Sequence, residues 1–86
     1  RMLCSTSVIK KIEYSPQSIE YSTYDGTSHE EFRLTSKPES IILGENRLPE
    51  KSATPDDGSG WTWKALDKGG VLRVWHKNAD KVTIRL

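Results

Sequence analysis

The residues of types that do chemistry are few and scattered. His29 stands before Glu30-Glu31, His76 follows Trp75, and Cys4 lies near the start. Two histidines and one distant cysteine lack the ligand spacing of a zinc centre. A Ser-His-Asp site needs a buried orienting carboxylate and a strained nucleophile turn, and the sequence displays neither. The adjacent carboxylates Glu30-Glu31 are expected on a strand, where neighbours point to opposite faces and cannot act on one bond. Asp56-Asp57-Gly58-Ser59-Gly60 lacks the alternating acidic ligands and closing glutamate of a calcium loop. Gly69-Gly70 is expected in a turn with no helix behind it, so it forms no phosphate cradle. No catalytic residue, metal site or cofactor is therefore expected. Cys4 cannot form an internal disulfide and is expected to be a partly buried small hydrophobe.

Binding chemistry is better represented. Trp61, Trp63 and Trp75 all fall within GSGWTWKALDKGGVLRVWHK, residues 58 to 77. Trp61 and Trp63 share one face of a strand, opposite Thr62 and Lys64, and are expected in the core, Trp63 more so than Trp61 at the strand entrance. In VLRVWHK, Leu72 and Val74 have one parity, while Val71, Arg73 and Trp75 have the other. Arg73 is costly to bury unpaired, so Leu72 and Val74 are expected inward and Trp75 outward beside Arg73. An outward tryptophan next to arginine suits a neighbouring domain, a sugar ring or its own neighbours' side-chain stems. Trp75, Arg73 and Tyr24 are the candidate contact residues, with Tyr21 as an alternative to Tyr24 and residues 54 to 60 as possible sugar-hydroxyl partners.

The elements that must position these residues read as strands. Val8, Ile12 and Tyr14 recur on even spacing, as do Ile19 and Tyr21, Phe32 and Leu34, Trp61, Trp63 and Ala65, Leu72 and Val74, and Val82, Ile84 and Leu86. Ile41-Ile42-Leu43 forms a short apolar run. Ser15-Pro16, Asp25-Gly26, Lys37-Pro38, Gly44-Glu45-Asn46, Lys68-Gly69-Gly70 and Asn78-Ala79-Asp80 separate them. About seven short strands at this spacing predict an all-β chain, an antiparallel Ig-like β-sandwich. Residues 46 to 60 read as a long exposed loop.

Size and charge narrow the classes further. Eighty-six residues make a single domain, 1–86. Thirteen Lys and Arg against twelve Asp and Glu leave a net charge of +1, which offers no basic field for nucleic acid. No apolar run approaches the roughly 18 residues of a membrane-spanning helix. The alternation reaching Leu86, with no apolar signal region at Arg1, leads us to expect the C-terminal domain of a longer polypeptide.

One resemblance adds context. Lys37-Pro38-Glu39-Ser40-Ile41, Gly44-Glu45-Asn46, Gly60-Trp61-Thr62-Trp63, Gly69-Gly70, Val71-Leu72-Arg73-Val74 and Val82-Thr83-Ile84 follow one another as in a known pattern. The sequence from Lys37 onward resembles the small β-sandwich that ends many bacterial glycoside hydrolases, including α-glucosidase and α-xylosidase relatives. The resemblance implies a secreted, periplasmic or cell-surface setting and a non-catalytic accessory role, with a neighbouring domain of the same polypeptide as partner. The alternatives are an autonomous carbohydrate-binding module that takes polysaccharide, and a cell-surface Ig-like module that binds protein.

Overall fold

A computed structural model of the protein describes residues 2–5, 9–24, 26–52, 59–77 and 79–86. Among these residues there are nine strands and no helix. They are β1 (Met2–Ser5), β2 (Ile9–Tyr14), β3 (Ser18–Thr23), β4 (Ser28–Leu34), β5 (Ser40–Leu43), β6 (Asn46–Arg47), β7 (Gly60–Ala65), β8 (Gly70–His76) and β9 (Lys81–Arg85). One sheet has the order β1-β4-β8-β7 and the other β2-β3-β9-β5-β6. All strand pairs are antiparallel. The two sheets pack face to face in a sandwich-like fold. The last of these strands, β9, lies in the middle of its sheet between β3 and β5.

Alternation explains the burial. In β8, Leu72 and Val74 point into the core with Gly70 and His76, while Arg73 points to solvent. In β4 the inward set is Ser28, Glu30, Phe32 and Leu34. Ile19 and Tyr21 of β3, Ile41 and Leu43 of β5, and Val82 and Ile84 of β9 close the core from the other sheet. Burying such side chains contributes about 1.5–3 kcal/mol each. Leu86, in step with Val82 and Ile84 in sequence, lies beyond the end of β9 and is exposed.

Two turns depend on glycine. Gly44 and Glu45 form the two-residue link between Leu43 and Asn46, with Gly44 at φ 61°, as primed hairpin turns require. Gly69 closes the β7–β8 hairpin at φ 76°, and a Cβ there would stand 2.1 Å from the Leu34 carbonyl oxygen.

Several expectations need correction. β1 and β6 occupy residues where the sequence pattern shows no strand. Ile9 of β2 faces the core beside Ile12, although their parities differ, because the register shifts by one residue between Ile9 and Lys11. Residues 46–52 are not a free loop. Leu48 is buried and its N–H donates to Ile41 O at 2.8 Å. The Pro49–Lys51 backbone then runs along the edge of β7, with Trp61 N–H donating to Pro49 O and Lys51 N–H to Trp61 O. These bonds, an indole N–H bond from Trp61 to Leu48 O and the Lys37 ammonium 5.8 Å from its ring, cover Trp61 to 4 % exposure. Trp63 is only half-buried, the reverse of the expected ranking. Cys4 is exposed: it pairs with outward-facing Glu31 across β4, not with an inward residue. The calcium-like reading at residues 56–60, and most of the loop residues 54–60, lie outside the described residues.

Candidate functional site

β4 and β8 pair in a register that sorts the ionisable residues. Ser28 faces His76, His29 faces Trp75, Glu30 faces Val74, and Glu31 faces Arg73. His29, Glu31, Arg73 and Trp75 fall on the outer face, and Ser28, Glu30 and His76 on the inner one.

On the outer face the His29 and Trp75 rings are stacked, 4.7 Å between centroids and 9° from parallel. Arg73 Nε donates to Glu31 Oε1 at 3.0 Å, and His29 Nε2 lies 3.9 Å from the same oxygen. Burial holds the His29 pKa below the ordinary histidine value, with the Glu31 charge opposing it. The ring is therefore neutral at pH 7 and stacks as an aromatic, not as a cation. Although Cys4 is exposed, partial desolvation of its thiol and then the Glu31 charge raise its pKa, so it stays protonated at neutral pH.

On the inner face, Glu30 and His76 are both 0 % exposed. Glu30 Oε1 accepts from the Tyr21 hydroxyl at 2.7 Å and faces His76 Nε2 at 2.8 Å. Its Oε2 accepts from the Ser5 hydroxyl at 2.9 Å and from the Ser28 hydroxyl. Burial opposes the ionised form of Glu30, but the bonds from His76, Ser28 and Tyr21 outweigh it and hold its pKa below the ordinary value. Burial likewise opposes the charged His76 ring, and the Glu30 bond and charge outweigh it, raising its pKa. Ser28, His76 and Glu30 are the residue types of a hydrolytic triad, but they are wired differently. Serine and carboxylate both approach Nε2, while Nδ1 is held by backbone carbonyls. The group is closed to solvent, so it ties the sheets together and presents no nucleophile to a substrate.

The structure brings Trp75 and Arg73 onto one face, as expected, and adds His29 and Glu31 to them. Tyr24 follows β3 of the other sheet, is 68 % exposed and has Lys10 over its ring. Tyr21 is no surface platform, because it lies in the core with its ring 5.2 Å from Phe32 and its hydroxyl on Glu30. A depression beside β3 and β9 is lined by polar residues, Glu20, Thr83 and Arg85 among them, with Leu86 and no aromatic ring. From sequence, Glu30 and His76 are weighed as catalytic or metal-binding types but not as an inward-facing pair. Their signal was parity, since Glu30 is in step with Phe32 and Leu34, and His76 with Leu72 and Val74.

Among the described residues no cluster of three His, Cys, Asp or Glu side chains is placed to hold a metal ion, and no helix is long and apolar enough to cross a membrane. No family model matches the chain, and no curated protein or solved structure matches it either. Fold and surface together define a class only: an all-β, sandwich-like domain with an aromatic, charge-paired outer sheet face.

Proposed function

We propose that this chain is a non-catalytic accessory module, the C-terminal domain of a carbohydrate-active enzyme, that packs against and stabilises a neighbouring domain. Its architecture is Ig-like in outline, although β9 lies inside its sheet where the constant-type order puts the last strand at an edge. The observation that supports this reading most is the Trp75–His29 stack beside the Arg73–Glu31 pair. Tryptophan and arginine are the residues most enriched at the centre of protein interfaces, and a neutral histidine under the indole keeps that centre apolar. An interface of about 600–1,500 Å² is usual between domains of one chain. The enzyme setting, and a secreted, periplasmic or cell-surface location, rest on the resemblance of the segment from Lys37 onward.

Trp75→Asp tests it. The substitution should lower the melting temperature of the full-length polypeptide more than that of residues 1–86 alone. Equal losses in both would remove the case for a domain contact.

A second reading draws on the same surface. A flat indole beside an ion-paired arginine and glutamate suits a sugar, whose ring stacks on the aromatic while its hydroxyls meet the polar pair. On this reading Trp75 is the platform, and the exposed Tyr24 is the second aromatic candidate. Tryptophan emission titrated with a panel of polysaccharides should shift, and Trp75→Ala should abolish retention on insoluble glycan; an unmoved spectrum across the panel rules this reading out.

A further inference from the structure

His76 ends β8 with both ring nitrogens committed. Nδ1 lies 2.8 Å from Ala79 O and 3.0 Å from Gly26 O. Carbonyl oxygens only accept, so Nδ1 carries a proton. Nε2 lies 2.8 Å from Glu30 Oε1, an oxygen that already accepts from Tyr21. The other Glu30 oxygen accepts from two serine hydroxyls. A carboxylate receiving that many donors is ionised and accepts only, so Nε2 carries a proton too. A ring protonated at both nitrogens is an imidazolium.

The position of this ion pair gives it a mechanical role. Gly26 belongs to the β3–β4 connection and Ala79 to the β8–β9 connection, which are also joined by Ala79 N–H to Gly26 O, while Thr23 N–H at the end of β3 donates to Asp80 O. Ser5 ties β1 to the same carboxylate. We infer that the His76 imidazolium and the Glu30 carboxylate form a pH-operated staple: loss of the ring proton frees both connections and β1, while the apolar remainder of the sandwich stays folded.

The chemistry of release is local. If Nδ1 loses the proton, a bare nitrogen faces two carbonyl oxygens. If Nε2 loses it, a bare nitrogen faces a carboxylate. In the first case the opposed acceptors have no donor; in the second the Ser28 hydroxyl could serve Nε2 only by leaving Glu30, so one buried acceptor loses its donor either way. Among the described residues the titratable groups facing the ring are Glu30 from β4 and Tyr21 from β3; Ser28 adds a neutral hydroxyl. Burial, then the Glu30 charge, raises the Tyr21 phenol well above its ordinary value, so it remains a donor throughout the range. Lys77 and Asp80, which flank the connection, are exposed. The folded His76 value lies above the unfolded one, so this stabilisation is complete below about pH 6.5 and is lost as pH rises through the folded value.

The chain has two histidines, so selective ¹⁵N labelling of the imidazoles gives a direct readout. At about pH 7 His76 should show two protonated ring nitrogens while His29 shows one. Between about pH 6 and about pH 9 the melting temperature should fall by roughly 5 °C or more. Over the same range the Ala79 amide should lose hydrogen-exchange protection before those of Phe32 and Ile84. Glu30→Gln should flatten this dependence and leave His76 singly protonated at neutral pH. A single protonated nitrogen on wild-type His76 at about pH 7 would overturn the assignment. A melting temperature that stays level or rises over the range would overturn the staple. Both readings use the wild-type chain, so they decide the matter even where Glu30→Gln fails to fold.

Discussion

Glu30 sits at a core position that an ordinary strand would fill with valine or leucine, and its carboxylate is matched there by Tyr21, Ser5, Ser28 and His76. Removing it strands a buried cation. Glu30→Ala should therefore destabilise the fold by about 3–5 kcal/mol in chemical denaturation, more than most single truncations. The cost belongs to the uncompensated partner, so removing both charges should hurt less than the sum. A cycle of Glu30→Gln, His76→Gln and the double variant should give a coupling of roughly 1–3 kcal/mol, and additive losses would deny that the two act as a pair. Parity placed both residues inward, but the expectation that ionisable groups avoid the core competes with parity and prevails when one strand is read alone. The same expectation worked for Arg73, whose partner Glu31 shares its outer face. What separates the two cases is the partner on the neighbouring strand, and strand pairing cannot be read from local alternation.

Turn chemistry sets what the elements allow. Gly69 is confined by its left-handed backbone and by the Leu34 carbonyl, so Gly69→Ala should cost more than the roughly 1–2 kcal/mol of the backbone conformation alone. A Cβ at Gly70 would meet the Trp63 ring at 2.6 Å, which is how a tryptophan on edge strand β7 fits beside the start of β8. The β7–β8 hairpin was legible because alternation, glycine and spacing agreed. The strip after β6 was not, since its one large apolar residue, Leu48, gives no periodicity. Its place is fixed by backbone bonds to Ile41 and Trp61, which are distant in sequence. Trp61→Ala should remove about 3–5 kcal/mol and at the same time unprotect the Leu48 and Lys51 amides in hydrogen exchange; a loss of stability with those amides still protected would show that the strip does not depend on the indole.

Taken whole, the molecule should respond to acid as well as to base. The Glu30 pKa is depressed in the fold, so its contribution is present above the unfolded value of about 4.3 and disappears as pH falls through the folded one. Stability measured by urea titration should therefore peak in the mildly acidic range and decline on both sides; a plateau extending to about pH 3 would show that the fold does not favour the ionised form of Glu30. The two-layer, all-β plan was legible from alternation, whereas the order of strands within each sheet was not, because alternation assigns faces and not neighbours. That order bears on how the chain comes together during synthesis. β3 and β5 meet only through β9, so the five-stranded layer cannot close until residues 81–85 have left the ribosome. Until then a nascent chain exposes two incomplete strand borders, and a chain cut short before residue 81 would be open to aggregation rather than merely a smaller domain.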